Sequence, residues 1–216
     1  MDYNLRNEIL DCSKKLFYQN GYTKTSIRQI AMTLNIHHPN IYYYFKSKKD
    51  IAFTLYGDIY QELNKKISEC ISKRDLYYTA TYLRLHYRVF YWNKQLFTLY
   101  YDFNKEGVVE DYVRPFAIKN YQLYLDAFNL DVSEKDLNTY FSIASSIEFR
   151  FIDAIIHKKS TVSFEEAINL IIRAPLLYMG VDNASIENIL TQSFINANNV
   201  KTEYIQQMVD TFITNI

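Results

Sequence analysis

Glycine and proline are scarce in this chain, and their scarcity limits the folds open to it. The 216 residues include four glycines and three prolines. Sheet proteins draw on both residue types for their many turns. The chain is therefore predicted to be all-α, with helices joined by short connections. The glycines also lie too far apart to form a GxGxxG or GxxxxGK phosphate-binding loop.

The overall composition is that of a folded protein. Hydrophobic residues make up 49% of the chain and charged residues 22%, which favours a packed core over disorder. No apolar run approaches the length of a membrane span, and the polar start MDYNLRNEIL lacks the features of a secretion signal. We expect a cytoplasmic protein without a membrane partner. Cys12 and Cys70 show no metal-ligand spacing, so neither a metal nor another cofactor is expected.

The net charge of zero is unevenly distributed. Residues 1–55 carry eight basic and four acidic side chains, a net charge of +4, and the remainder carries −4. A basic first quarter on an acidic body suggests that the first quarter meets a polyanion.

The first fifty residues carry the local signals of three helices. Apolar residues recur at helical spacing over 4–20, and Asn20-Gly21 is suited to end that helix. Thr25-Ser26 offers an N-cap hydroxyl for a second short helix, and Asn35 tolerates the left-handed conformation that would end it. Pro39 is well placed in the first turn of a third helix. Two short helices joined by a tight turn predict a helix-turn-helix.

The third helix of this motif has an outward face that could touch a ligand. Ile41 and Phe45 are predicted to point inward, with Tyr42 at the boundary; the outward residues are His37, His38, Asn40, Tyr43 and Tyr44. Tyrosine hydroxyls can donate to phosphate oxygens, and Lys46, Lys48 and Lys49 follow directly. The alternative is that Tyr42 and Tyr43 are core residues. A metal site at His37 and His38 is disfavoured, because neighbouring helical residues point about 100° apart and no third ligand is visible.

The segment Gly21–Ile51 resembles the DNA-binding domain of TetR-type (tetracycline-repressor-like) transcriptional regulators. The matching positions are Gly21-Tyr22, Thr25-Ser26, Ile30-Ala31, Tyr42, Phe45, Ser47-Lys48 and Ile51. The sequence departs from the family pattern at Asn35, which replaces the usual turn glycine, at His37, which replaces a small hydroxyl N-cap, and at Tyr44, where histidine is common.

The resemblance implies a helix-turn-helix domain at 1–48 and a helical ligand-binding and dimerisation domain at 49–216. It implies double-stranded DNA as a partner, with a near-palindromic operator read by a homodimer. By position, the residues implied to hold phosphates are Thr25, Ser26, Tyr42, Tyr44 and Lys48. Those implied to face bases or sugars are Arg28, His38, Pro39, Asn40 and Tyr43, with His37 beside them.

The remainder of the chain reads as seven helices, near 49–73, 76–103, 109–129, 133–158, 164–180, 184–198 and 201–214. The stretch 76–103 is rich in aromatic residues, which suit the wall of a pocket for a flat, apolar or cationic small molecule. The alternative is the ordinary core of a tyrosine-rich protein. The candidate pocket residues are Tyr82, His86, Tyr87, Phe90, Tyr101, Tyr121 and Tyr124.

Two helices of this region are apolar on more than one side and must be buried on more than one side. They cover residues 139–156 and 164–177, and by analogy with TetR-type proteins we assign them to a four-helix dimer interface. A monomer core is the alternative. The candidate interface residues are Tyr140, Ala144, Ile147, Phe151, Ile168, Ile171 and Ile172. Glu148, Arg150 and Asp153 need partners if they are buried, either one another or a ligand.

The leading hypothesis is a homodimeric transcription factor that responds to a small molecule, most often a repressor in this family. An enzyme is disfavoured, because no nucleophile–base pair, metal constellation or nucleotide loop is recognisable. A TetR-like fold that serves as a protein-interaction module is a further alternative.

Overall fold

The computed structural model describes residues 3–71 and 73–214. Within these residues the fold is all-α, as predicted, with eleven helices. They are α1 (Tyr3–Asn20), α2 (Ile27–Thr33), α3 (His38–Tyr42), α4 (Lys48–Cys70), α5 (Tyr78–Trp92), α6 (Lys94–Lys105), α7 (Val108–Phe128), α8 (Glu134–Ile156), α9 (Phe164–Tyr178), α10 (Asn183–Asn198) and α11 (Thr202–Thr214). None of the helices described combines the length and hydrophobicity that a bilayer crossing requires.

The helices α1, α2 and α3 form a head whose turns follow the local sequence signals. The Ser26 side chain accepts a hydrogen bond from the Gln29 amide, and the Gln29 side chain caps Ser26 in return. Such reciprocal caps satisfy donors that a helix start leaves open. Asn35 adopts a left-handed φ of 53° between α2 and α3, and Pro39 lies in the first turn of α3.

The long helix α4 runs from the head into the body, which it forms together with helices α5 to α11. The Ser47 hydroxyl caps its start by accepting from the Asp50 amide. The α4 helix packs against α1, α5 and α7. Gly57 allows α7 to approach α4 closely, because a Cβ there would lie 2.6 Å from Cε2 of Tyr112. The α7 side chain therefore packs directly on the α4 backbone.

The single helix predicted over 76–103 is wrong, because the chain breaks at Asn93. Asn93 is extended, with φ −122° and ψ 125°, and ends α5 while starting α6. Its side chain accepts a hydrogen bond from the Leu96 amide, which is the usual function of an N-cap asparagine. Aromatic residues continue on both sides of the break, so the apolar pattern did not reveal it.

The helix α5 lies inside the body and packs against α4, α6, α9, α10 and α11. Its Arg84 side chain is 1% exposed and joins three helices. The guanidinium donates to Ser193 Oγ at 2.9 Å, to Glu165 Oε2 at 3.0 Å and to Asn169 Oδ1 at 2.6 Å. It also donates to the Leu190 carbonyl. A buried charge needs this many partners to offset its desolvation.

Replacing Arg84 by leucine is expected to lower the free energy of unfolding by about 3 kcal/mol, since it leaves the partners of a buried ion pair without a hydrogen-bond donor. Urea unfolding of wild type and variant measures the loss. The control is Arg173→Leu, which removes a more exposed ion pair to Glu187 and should cost at most about 1 kcal/mol. Equal losses in the two variants would contradict a bracing role for Arg84.

Candidate DNA-binding surface and candidate ligand cavity

The third helix presents its tyrosines to solvent. Tyr42 is 47% exposed and Tyr43 is 76% exposed, so neither is a core residue. Ile41 and Phe45 are buried as predicted. The ring of Tyr42 packs edge-on against His38. The head therefore exposes aromatic and polar groups over an apolar anchor.

Most of the residues predicted to contact DNA share this exposed surface. Tyr44 is half-buried. Besides Tyr42 and Tyr43, the exposed residues of this set are Ser26, Arg28, His37, His38, Pro39 and Asn40. Lys46 is also exposed just after the third helix. The surface thus carries amide, imidazole, phenol and cationic groups, all of which can meet phosphates or base edges.

Thr25 and Lys48 are engaged within the head, which differs from the prediction that they hold phosphates. Thr25 is buried, and its hydroxyl donates to the carbonyls of Leu16 at 3.2 Å and Gly21 at 2.9 Å. The Lys48 ammonium donates to the carbonyls of Tyr22 and Thr25, both at 2.9 Å, and lies 4.0 Å from the centre of the Tyr22 ring. Burial lowers the pKa of Lys48. Both side chains tie the loop before α2 to its surroundings.

A cavity of about 90 Å³ lies inside the body. Helices α4 to α9 all contribute to its wall. The residues that line it are Tyr60, Thr79, Tyr82, Leu83, His86, Tyr87, Tyr100, Val109, Val113, Ala117, Asn120, Tyr121, Tyr124, Phe141, Ala144, Ser145, Glu148, Ile171, Ile172 and Pro175. The wall is largely aromatic and apolar, with a few polar groups, as small-molecule sites usually are.

Five of the seven predicted pocket residues line this cavity, namely Tyr82, His86, Tyr87, Tyr121 and Tyr124. Phe90 and Tyr101 do not. Phe90 lies behind the wall and stacks on Tyr100 with ring centres 4.3 Å apart. Tyr101 points away from the cavity, and its hydroxyl donates to Asp153 at 2.9 Å. The break at Asn93 changes which face of the following helix points toward the cavity. Tyr100 therefore faces the cavity in place of Tyr101.

Glu148 is the main wall residue that the pocket prediction missed. Its Oε1 accepts a hydrogen bond from the Tyr100 hydroxyl at 2.5 Å. Burial raises the pKa of the Glu148 carboxyl, and hydrogen bonds from Tyr100, Tyr87 and Asn104 oppose that rise. An acid in the middle of an apolar helix was the available sequence signal, since such a group needs a partner. Tyr60 of α4 also escaped the prediction.

The imidazole of His86 is buried among aromatic rings and is neutral. Burial lowers the pKa of His86 to about 3. Its ring lies 5.0 Å from Phe90 and 5.9 Å from Tyr82, centre to centre. Its Nδ1 atom has no hydrogen-bond partner within the described part of the chain. An unpartnered buried nitrogen in a cavity wall is a candidate ligand contact.

The helix α6 connects the cavity to the head. Tyr100 lines the cavity, and Phe103, one turn further on, packs edge-on against Phe17 at 6.3 Å and Tyr22 at 5.6 Å. The neighbouring Asp102 accepts a hydrogen bond from the Thr23 amide at 3.4 Å. A displacement of Tyr100 would therefore be transmitted to the head through the turn of α6 that joins Tyr100 to Phe103.

The predicted dimer interface needs a correction, because one chain already buries part of it. Ile168, Ile171 and Ile172 are at most 6% exposed, and Ala144 is buried in the cavity wall. Tyr140, Ile147 and Phe151 are half-buried. The apolar residues of α9 that are exposed are Leu170, Leu177 and Tyr178. Periodicity marked α9 as apolar on two sides but could not say which side faces the chain's own core.

The structure of the described residues gives no group of three or more His, Cys, Asp or Glu side chains that could hold a metal ion. His37 and His38 are both exposed on the head.

The described residues thus form a helix-turn-helix head on a helical body with an internal cavity. Residues 9–55 match the family model described as "Bacterial regulatory proteins, tetR family". The transcriptional regulator QacR of Staphylococcus aureus is 26% identical over 140 residues, which are 62% of this chain and 72% of that protein. The probable transcriptional regulator YttP of Bacillus subtilis is 29% identical over 72 residues, 33% of this chain and 35% of that protein.

The fold has a counterpart among solved structures. The crystal structure of RolR without ligand superposes with a TM-score of 0.57 at 15% identity, over 86% of this chain and 96% of that chain. At this identity the likeness shows the fold alone. Residues 9–55 of the chain thus resemble the DNA-binding part of TetR-type transcriptional regulators. The relatives QacR and YttP are named as transcriptional regulators, and neither name is that of an enzyme.

The raised pKa of Glu148 gives a testable pH dependence. At pH values between the ordinary carboxyl pKa and the raised one, Glu148 is protonated in the folded protein and ionised in the unfolded chain. Its stability should therefore fall with rising pH, by up to about 1.4 kcal/mol per pH unit from this group. Glu148→Gln should remove that slope in urea unfolding between about pH 5 and about pH 8, at one fixed protein concentration.

The matched control is Glu166→Gln. Hydrogen bonds from Ser163 lower the pKa of Glu166, so its contribution to stability is present above the ordinary carboxyl pKa and is lost only at more acidic pH. This variant should leave the slope above about pH 5 unchanged. A Glu148→Gln variant with the wild-type slope would show that Glu148 does not hold the proton.

Proposed function

We propose that this regulator is a homodimeric repressor that a small apolar or aromatic molecule releases from a near-palindromic DNA operator. The observation that carries the proposal is the path through α6, on which Tyr100 lines the cavity and Phe103 packs against the head. We propose residues 1–48 as the DNA-binding domain and 49–216 as the regulatory domain, with α4 running on from their boundary.

The exposed surface of the head is proposed to enter the major groove. Asn40 suits adenine and Arg28 suits guanine, because their paired donors and acceptors match those base edges. The hydroxyls of Tyr42, Tyr43 and Ser26 reach phosphates, together with the ammonium of Lys46. Two heads on a dimer would read half-sites about one helical turn apart. Thr25 and Lys48 act here by fixing the loop that carries Ser26.

The dimer is proposed to form through the outer faces of α8 and α9. A shallow groove on α8 exposes mainly carbon atoms and is lined by Thr139, Ser142, Ile143, Ser146, Ile147, Arg150 and Phe151. Leu177 and Tyr178 of α9 are exposed, and Tyr178 stacks on Tyr140 of α8. Two copies of this face would bury one another and form a four-helix interface.

The ligand is proposed to act by moving α6. An engineered cavity of about 150 Å³ holds one benzene ring, and this cavity of about 90 Å³ is smaller. A ring-sized ligand must therefore displace part of the wall. A ligand releases DNA only if it binds the displaced state more tightly than the state that fits the operator.

The first test is a salt-titrated gel-shift assay with DNA selected from a random library and with the DNA upstream of the gene. Selective binding that weakens steeply as salt rises is expected. Asn40→Ala should cost about 1–3 kcal/mol of discrimination at one base pair, while Lys46→Ala should weaken binding to all sequences and reduce the salt slope by about one. Lys201→Ala, at the start of α11, is the charge-matched control. Wild-type binding by the Asn40 and Lys46 variants would overturn the assigned surface.

A second test addresses the dimer. Ile147→Lys places a charge in the proposed interface and should shift the protein from dimer to monomer in sedimentation velocity, because an unpaired buried charge is strongly unfavourable. Ile195→Lys is the control, since Ile195 is 46% exposed on α10, away from the proposed interface. A wild type that sediments as a monomer would refute the homodimer, and an Ile147→Lys dimer would refute this interface.

A further inference from the structure

Among the described residues, one acidic side chain and no lysine or arginine line the cavity. Among the residues lining it, Glu148 is the one Asp, Glu, Lys or Arg. The remaining polar groups are phenols, hydroxyls, one amide and the neutral imidazole of His86. A carboxyl group among aromatic rings discriminates strongly between ligands of different charge, because electrostatic interactions are stronger where water is excluded.

Glu148 has no counter-ion in the part of the chain that the structure describes. It takes part in none of the ion pairs found there. Arg114 lies nearby, over the ring of Phe141 at 4.8 Å, but its guanidinium is hydrogen-bonded to Glu110 and to Ser142. Tyr100 supplies a hydrogen bond and no charge. The carboxyl therefore has hydrogen-bond donors but no opposite charge beside it.

The surrounding groups suit a cation and reject an anion. The hydroxyls of Tyr87 and Tyr100 are hydrogen-bonded to the carboxyl, which brings their rings close to it, and aromatic faces attract ammonium groups. His86 is neutral, so it does not repel a positive charge, and its unpartnered Nδ1 offers a second polar contact. An anion would meet the carboxyl of Glu148 and no cationic group of the wall.

Resting on the proposed function, we propose that the effector is a small organic cation: an ammonium group on an aromatic or apolar body. Its N–H group pairs with Glu148, and its body lies among the tyrosine rings of α5, α6 and α7. Pairing with the ammonium group displaces the Glu148 proton to solvent and draws the resulting carboxylate away from the Tyr100 hydroxyl, which loosens α6. The same contact then selects the ligand and displaces the helix that touches the head.

Three probes of nearly the same size test this class on the full-length protein: benzylammonium chloride, benzyl alcohol and sodium benzoate. Isothermal titration calorimetry at neutral pH should give the tightest binding for benzylammonium, about tenfold tighter than for benzyl alcohol, and no binding for benzoate. Glu148→Gln should abolish the preference for the cation. Tyr101→Phe is the matched control, because Tyr101 lies outside the cavity, and it should keep the preference.

The outcomes separate the ligand class from the function. Benzoate binding as tightly as benzylammonium, no binding of benzylammonium, or a Glu148→Gln variant that keeps the preference would overturn the cationic class. The wild-type comparison needs no variant, so a folding defect cannot hide the result. If benzyl alcohol but not benzylammonium released operator DNA in the gel-shift assay, the regulator would stand and the ligand class would fall. Failure of the wild type to bind any selected DNA would instead refute the proposed function.

Discussion

The packing of Phe103 against Phe17 and Tyr22 holds the head to the body. All three rings are buried, and close-packed interiors transmit displacement because they have no free space to absorb it. Phe103 lies three positions after Tyr100, just under one helical turn and about 4.5 Å along the helix axis. Whatever moves the cavity wall at Tyr100 must therefore move this contact or bend α6.

The head could be predicted closely from sequence because its structure is set locally. Ser26 and Gln29 cap one another, Asn35 takes the left-handed turn, and Pro39 starts α3 where a missing N–H has no consequence. Each of these features needs only neighbours within four residues. The exposed face of α3 follows from the same periodicity, since Ile41 must point inward.

The parts that sequence did not predict depend on long-range contacts. Periodicity showed that α9 is apolar on two sides, yet only the tertiary structure shows that Ile171 faces the cavity and Leu177 faces outward. Thr25 and Lys48 match a phosphate-binding pattern, but carbonyl groups that the fold brings to them satisfy their donors first. At Asn93 a polar cap interrupts an aromatic stretch that continues on both sides.

Glu148 connects stability with the proposed response. A buried carboxyl with a raised pKa makes the folded state less stable at neutral pH than a neutral residue would, so packing alone does not account for an acid at this position. Its hydrogen-bond partner Tyr100 belongs to α6, the helix that contacts the head. In the proposed regulator a ligand that satisfies Glu148 removes the desolvation cost and weakens the hold on α6 together. Ligand selectivity and release of DNA would then both arise when Glu148 exchanges the Tyr100 hydroxyl for the ligand.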